Sequence, residues 1–153
     1  MPTAWRLLKT KFARDAFSGE GARLYGGRWN SPGTAMVYLG ESISLATLEI
    51  LVHFQATAPL DAYSLIRVDF DSSCLTEVDV ATLPSSWADS PPPVEVQQIG
   101  DTWVAGAASL LLRIPSAIVP DEHNILLNPA HSDFTTLRFS NPSPFRFDPR
   151  LLK

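Results

Sequence analysis

The sequence predicts a single α+β domain, with a few helices around a mixed or largely antiparallel sheet. Its 153 residues fit one domain of ordinary size. Short apolar segments typical of strands outnumber the two segments that show helical periodicity. The 13 prolines are scattered, which excludes a coiled coil or a collagen-like rod, and 45% apolar residues exclude a disordered chain.

The N-terminal third is predicted to contain two strands joined by a glycine-rich segment. Residues 4–8 form the first strand, from which Arg6 projects. Residues 19–33 hold five of the eight glycines and end in Ser-Pro-Gly, which is turn chemistry. Residues 35–39 are apolar and predict a buried strand.

A helix is predicted over residues 43–54, with Ser42 as its N-cap. Four apolar residues at spacings of three and four predict its core-facing stripe: Leu45, Leu48, Leu51 and Val52. Apolar residues also cover the opposite side, so the helix is expected to be well buried. Glu49 lies beside the stripe, and a carboxylate in such surroundings is costly unless it has partners.

The rest of the chain is predicted to alternate short strands with surface segments. The expected elements are a half-buried strand at 63–70, an acidic proline-rich surface segment at 71–99, a helix at 102–112 capped by Asp101, strands at 112–119, 124–127 and 143–147, and a polar turn or short helix at 131–136. Pro115 has no N–H to donate, so its strand is expected to lie at an edge or to carry a bulge.

The two signs of charge are segregated along the chain. Residues 1–28 carry six basic and two acidic side chains, whereas residues 61–101 carry eight acidic side chains against Arg67 alone. An isoelectric point near 5.2 argues against nucleic-acid binding as the primary role. A small anionic ligand held by the N-terminal arginines fits better, although such charges often only solvate a surface.

The expected location is the cytoplasm. The longest apolar stretches are too short to cross a bilayer, and no charged-then-apolar signal precedes the domain. Cys74 is the single cysteine, which agrees with a reducing compartment, and its acidic, proline-rich surroundings would not activate a thiolate.

Several standard chemistries lack their motifs. The sequence has no phosphate-binding loop, no G-x-G-x-x-G, no G-x-S-x-G, no H-E-x-x-H and no C-x-x-C. His123 and His131 lie near acidic residues, but such clusters are more often turn and capping residues, so no metal is expected.

Four residues remain as candidates for chemistry: Arg28, Tyr38, Glu49 and Ser116. Each also has an ordinary structural explanation. Arg28 can stack on Trp29 or pair with an acid, and Tyr38 can be a core residue. Glu49 can pair with a histidine one helical turn later, and a serine such as Ser116 is common on a strand.

The sequence resembles the RES domain family, named for an arginine, a glutamate and a serine. The stretches that carry the resemblance are G-G-R-W-N-S-P-G at 26–33, V-Y-L at 37–39, A-T-L-E at 46–49, I-P-S-A-I-V-P at 114–120, N-I-L-L-N-P-A-H at 124–131 and D-P-R-L at 148–151. They follow one another in the family's order and span nearly the whole chain.

The resemblance implies an NAD-consuming toxin of a bacterial type II toxin–antitoxin pair, with NAD as substrate and no metal. It implies an ADP-ribosyltransferase-like fold around a split sheet. It also implies a helix-turn-helix antitoxin of the Xre-like kind that covers the active site, in a homo- or hetero-oligomeric complex. Arg28, Tyr38, Glu49 and Ser116 would be the catalytic residues, and Arg6 would be a further phosphate ligand.

Three acceptors of the ADP-ribosyl group remain open, together with one function that is not enzymatic. The ADP-ribosyl group can pass to water or phosphate, which degrades NAD, or to a cellular protein. A rival from another class is a non-enzymatic interaction domain that uses the acidic segment 71–99.

Overall fold

The computed structural model describes residues 1–54 and 62–152. Within these ranges the helices are α1 (Glu20–Tyr25), α2 (Ile43–Leu51) and α3 (Val94–Gly106). The strands are β1 (Thr3–Lys9), β2 (Val37–Gly40), β3 (Tyr63–Asp69), β4 (Leu75–Glu77), β5 (Leu111–Pro115), β6 (His123–Leu127), β7 (Arg138–Phe139) and β8 (Ser143–Phe145). Asp61, the first acid of the segregated acidic region, lies outside the described residues.

All of these strands belong to one mixed sheet in the order β4-β5-β6-β2-β1-β3-β7, and β8 also pairs with β3. The β4–β5 pair is parallel and the other pairs are antiparallel. The predicted α+β class with a mixed, largely antiparallel sheet is therefore confirmed.

The sheet is weakest between β1 and β2. These strands share one register pair, Trp5 opposite Gly40, whereas β1 and β3 pair along seven consecutive positions. The sheet thus consists of two well-paired portions that meet at a narrow connection, as expected of a split sheet.

Helices α2 and α3 cover the same face of the sheet. Leu126 of β6 packs with Val96 of α3, and Leu7 of β1 packs with Ala46 of α2. Leu126 lies opposite Tyr38, which shares its face of the sheet with Gly40, two residues later in β2. Gly40 lies opposite Trp5, which shares its face with Leu7, so Leu126 and Leu7 lie on the same face. The helices therefore flank the connection between the two portions of the sheet.

The other face carries a second apolar cluster, built on Val37 and Leu39 of β2 and on Val68 of β3. Half-buried Cys74 packs against it, which agrees with a structural thiol.

Helix α2 begins as predicted, since the Ser42 hydroxyl accepts a hydrogen bond from the Leu45 N–H at 3.0 Å. The predicted core stripe is partly wrong. Leu45 is buried, but Leu48 is 39% and Val52 is 58% exposed, and Ala46 takes a buried position instead. The helix lies against the sheet on one side only, so its outer apolar residues reach the surface.

The predicted helix at 102–112 is wrong in its bounds. Helix α3 starts at Val94, directly after Pro93, and ends where Ala107 adopts the left-handed conformation with φ 50°. Asp101 lies inside the helix and does not cap it. Proline is well suited to a helix start, so the proline run 91–93 was the relevant signal.

The prediction of a surface segment at 71–99 is only partly right, because these residues also contribute β4 and the first turns of α3.

The predicted strand at 112–119 ends at Pro115, so Ser116 begins the turn that follows. The parallel pairing with β4 ends at Arg113, which leaves Pro115 on an unpaired edge of β5, as its missing N–H requires.

The remaining expectations hold within one or two residues for the strands at 4–8, 35–39, 63–70, 124–127 and 143–147 and for the short helix at 131–136. The glycine-rich segment, however, contains the unpredicted helix α1. None of the helices in the described ranges combines the length and hydrophobicity of a membrane-spanning segment.

Candidate functional site

The glycine-rich segment folds into a tight loop around a buried asparagine. The N–H of Gly27 donates to the carbonyl of Asn30, and the fully buried Asn30 amide donates to carbonyls on both sides of the loop, those of Ala22 and Thr34. Gly26 adopts φ 74°, which a glycine tolerates without strain. The loop therefore has a defined shape that its own sequence encodes.

Helix α3 holds this loop with three residues on one face. Gln97 donates to the Gly27 carbonyl at 2.9 Å, and Asp101 accepts from both the N–H and the hydroxyl of Ser31. Gly100 lies between them, where a Cβ would fall 1.7 Å from the Trp29 carbonyl oxygen. Spacings of three and four residues place all three side by side, so the helix and loop pack as one unit.

Tyr38 of β2 fastens the loop from the sheet side. Its hydroxyl donates to Asn30 Oδ1 at 2.7 Å and accepts from the Trp29 N–H at 2.9 Å. Burial raises the pKa of Tyr38 well above its ordinary value, against the lowering effect of its bond with Trp29 and of the Arg28 charge. The phenol is thus a neutral, fully bonded group at neutral pH.

Arg28 lies at the tip of the loop, close enough for its charge to act on the Tyr38 hydroxyl. Its Nη1 donates to the carbonyl of Trp87 at 3.1 Å and to that of Asp89 at 2.7 Å. These main-chain acceptors differ from both alternatives raised by the sequence, a stack on Trp29 and a pair with an acid. The Trp87 ring instead lies against Trp29, with 6.5 Å between ring centroids.

Arg6 lies where the β1–β2 pairing ends. Strand alternation puts its side chain with Ala4 and Leu8, on the face opposite to Tyr38. The guanidinium donates to the carbonyls of Ala16 and Tyr38, each at 3.2 Å, and so bridges β1 and β2. Desolvation lowers the pKa of Arg6 to about 10, which leaves it cationic at neutral pH.

Glu49 of α2 receives two hydrogen bonds on one carboxylate oxygen. The Ser116 hydroxyl donates to Oε1 at 3.0 Å and the Asn124 amide donates to the same atom at 2.6 Å. Ser116 is fully buried and Asn124 is half-buried at the start of β6. A half-buried carboxylate requires hydrogen-bond partners, and Ser116 and Asn124 provide them for Glu49. They take the place of the histidine one helical turn later, which the sequence suggested as a partner.

The structure thus sorts the predicted residues into three places. Glu49 and Ser116 are in direct contact, Arg28 and Tyr38 lie together at the glycine-rich loop, and Arg6 links the strands from the other face. Sequence reasoning missed Asn124, which lies inside a quoted matching stretch, and Asn30, which follows the G-G-R-W run. A polar residue at the start of an otherwise apolar strand is the signal that the sequence offers for Asn124.

A charged cluster lies on the sheet face opposite to Asn124, beginning one residue before it in β6. Arg113 bonds Glu41 at 2.9 Å and Glu77 at 3.0 Å, and His123 lies 3.5 Å from Glu41. His131 acts as a cap, since its Nδ1 accepts a hydrogen bond from the Asp133 N–H at 3.0 Å. Among the described residues no group of three histidine, cysteine or acidic side chains is arranged to hold a metal ion.

The family model for the RES domain matches residues 3–148, almost the entire chain. The chain belongs to the RES domain family. All of the residues discussed above, from Arg6 to Asn124, fall within the matched region, so the RES domain includes the whole candidate site.

Two named toxins match over nearly their full length, and a third relative matches over part of it. The chain is 39% identical over 148 residues to a protein of Yersinia enterocolitica named Toxin Res, covering 96% of this chain and 97% of that one. It is 36% identical to the Prs ADP-ribosylating toxin of a Sphingobium species, with 97% and 96% covered. It is also 30% identical over 115 residues to the NAD(+) phosphorylase MbcT of Mycobacterium tuberculosis, with 70% and 61% covered.

The fold is similar to that in a crystal structure of the Mycobacterium tuberculosis MbcT–MbcA toxin–antitoxin complex. The TM-score is 0.77 at 21% identity, over 98% of this chain and 86% of that one. The predicted fold class and the family resemblance are both confirmed.

Proposed function

We propose that this RES domain protein is the toxin of a bacterial toxin–antitoxin pair, and that it destroys NAD by cleaving the bond between nicotinamide and ribose. The observation that carries the proposal is the Glu49 carboxylate, held by Ser116 and Asn124 on the sheet face that α2 and α3 flank. Relatives named as a toxin, an ADP-ribosylating toxin and an NAD(+) phosphorylase support it.

The chemistry requires a single well-placed carboxylate. Loss of nicotinamide passes through an oxocarbenium-like ribosyl cation, as in glycoside hydrolysis. The departing nicotinamide becomes neutral when the bond breaks, so it needs no strong general acid. Glu49 stabilises the developing positive charge and accepts hydrogen bonds from the ribose hydroxyls.

Arg28 is the proposed ligand of the pyrophosphate. Both of its hydrogen bonds within the described residues use Nη1, so Nε and Nη2 are the donors offered to an anion. Tyr38 sets the position of Arg28 by fastening the loop, and its ring lies on the same sheet face as Asn124, where it provides an apolar wall for nicotinamide. Arg6 has the more remote role, because its guanidinium is used to bridge β1 and β2.

The acceptor of the ADP-ribosyl group is proposed to be water or phosphate. Water yields ADP-ribose, nicotinamide and a proton, whereas phosphate yields ADP-ribose-1″-phosphate, nicotinamide and a proton. The relative named NAD(+) phosphorylase favours phosphate, and the Sphingobium relative supports protein ADP-ribosylation as the second candidate.

The proposed partner is an antitoxin that covers the site, a helix-turn-helix protein of the Xre-like kind, in a hetero-oligomeric complex in the cytoplasm. The structurally similar MbcT–MbcA assembly is a toxin–antitoxin complex, which supports a protein partner of this kind. Growth arrest until neutralisation follows from loss of NAD.

The test is release of nicotinamide from NAD by purified protein, with and without phosphate. Glu49→Gln and Arg28→Ala are expected to lower turnover by roughly 100-fold or more, because each removes charge stabilisation. The exposed Glu95→Gln and Arg138→Ala, which carry the same changes elsewhere, are expected to match wild type.

Wild-type turnover by both site variants would refute the site assignment. ADP-ribosylated protein without free ADP-ribose would establish the transferase instead. If neither nicotinamide nor labelled protein appears with the wild-type chain, the non-enzymatic interaction domain is the better description.

A further inference from the structure

The two oxygens of the Glu49 carboxylate are treated differently by the protein. Ser116 and Asn124 both donate to Oε1, at 3.0 and 2.6 Å, and neither donates to Oε2. Two donors on one oxygen fix both the position and the rotation of a carboxyl group that three side-chain torsions would otherwise leave free.

In its contact with Glu49, the Ser116 hydroxyl must be the hydrogen-bond donor. Its hydroxyl oxygen accepts from the N–H groups of Ile118 and Val119, each at 3.1 Å, which uses both of its acceptor sites. The single hydroxyl proton is then directed at Glu49, with Oε1 as its acceptor.

Asn124 approaches from a rigid support. It is paired with Gly40 of β2 on one side and with Ile114 of β5 on the other, so its strand is held on both edges at this position. Its side chain shares the sheet face with Tyr38, since the two lie on register pairs that differ by two residues. The amide thus reaches the helix-borne carboxylate from a strand that is paired on both edges.

We infer that Asn124 is a positioning residue which, with Ser116, occupies Oε1 and so makes Oε2 the oxygen that faces the ribosyl cation. The inference rests on the proposed cleavage of NAD. Asn124 acts through Glu49 and has no separate contact with the reacting atoms. Its loss is therefore expected to slow the chemical step without weakening the binding of NAD.

The experiment compares kcat and KM for nicotinamide release in Asn124→Ala, Asn124→Asp and the exposed control Asn141→Ala. Asn124→Ala is expected to lower kcat roughly 10- to 100-fold, the effect of losing a hydrogen bond to a charged group, with KM within about twofold of wild type. Asn124→Asp keeps the shape but replaces the donor with an acceptor, so it is expected to be no better than alanine. Asn141→Ala is expected to match wild type.

A double-mutant cycle separates action through Glu49 from a merely structural role. Added to Glu49→Gln, Asn124→Ala is expected to cause no further loss of turnover. If turnover by the double variant is too slow to measure, its dissociation constant for NAD is measured instead. This constant is expected to equal that of the Glu49→Gln single variant. Thermal unfolding of each variant shows whether a loss of turnover comes from misfolding. If Asn124→Ala is misfolded, Asn124→Asp is compared with wild type instead.

Three results would overturn the inference while leaving the proposed function intact: wild-type kcat in Asn124→Ala, recovery of turnover in Asn124→Asp, or the same fractional loss in both backgrounds. Absence of nicotinamide release by the wild-type protein would overturn the proposed function, and the inference with it.

Discussion

The phenol of Tyr38 donates a 2.7 Å hydrogen bond to Asn30, the residue around which the glycine-rich loop is folded. It can approach this closely because position 27 is glycine: a Cβ there would lie 2.6 Å from the Tyr38 oxygen. The strand and the loop that presents Arg28 are therefore joined through one side chain. Tyr38 thus holds the loop in position against the sheet.

Tyr38→Phe is expected to destabilise the protein by about 1–3 kcal/mol, because it leaves the Trp29 N–H and the side-chain Oδ1 of Asn30 without their partner. Urea unfolding measures this difference. Tyr25→Phe removes the same hydroxyl from a side chain that is 84% exposed, so its unfolding free energy should equal that of wild type.

The same tyrosine predicts how stability changes with pH. Its folded pKa is raised above its unfolded value, which is about 10, so the folded state keeps its proton where the unfolded state loses it. The stabilisation is complete below pH ~10 and declines as pH rises beyond it. The difference in unfolding free energy between wild type and Tyr38→Phe should shrink from pH 9 to 11, and a constant difference would contradict the assignment.

Arg6→Lys tests the bridge between β1 and β2. The guanidinium reaches the carbonyls of Ala16 and Tyr38 through two different nitrogens, which a single ammonium group does not replace. Loss of one such charged hydrogen bond is expected to cost about 1.5–3 kcal/mol in the free energy of unfolding. Arg150→Lys, whose side chain is 83% exposed, is the matched control, and equal stability of the two variants would contradict the bridge.

Local signals in the sequence were sufficient for much of the fold. The hydroxyl of Ser42 lies three residues from the N–H that it caps, and the short apolar strands need only their own composition to be recognised. The end of α3 was different, because Ala107 terminates the helix with a positive φ that nothing in its residue type indicates.

Long-range partners explain what the sequence left open at the site. The neighbours of Asp101 favour an N-cap, but its carboxylate binds Ser31, 70 positions earlier. Asn124 binds Glu49 across 75 positions. The sequence marks such a residue at most as a polar side chain in apolar surroundings, and only the folded chain identifies its partner.

Asp101→Ala is expected to loosen the glycine-rich loop, because the N–H and hydroxyl of Ser31 lose their shared acceptor. A loss of about 1–3 kcal/mol in unfolding free energy should accompany a higher KM for NAD, since Arg28 is presented by this loop. Hydrogen exchange of the loop amides provides the direct measurement. Asp121→Ala changes an exposed acid and should leave both quantities unaltered.

Gly100→Ala tests the packing of α3 on the loop, with Gly106→Ala in the same helix as its control. An alanine methyl at position 100 would overlap the Trp29 carbonyl oxygen, a backbone atom that cannot move without the loop. At position 106 nothing lies within 4 Å, and alanine favours a helix.

Gly100→Ala should therefore lower the unfolding temperature and shift Arg28, whereas Gly106→Ala should raise stability by up to ~1 kcal/mol. Equal melting temperatures would contradict the close helix–loop contact. If Gly100→Ala stays folded at the assay temperature but turns over NAD slowly, its defect lies in the loop that α3 holds. That result would connect helix packing directly to the position of the arginine.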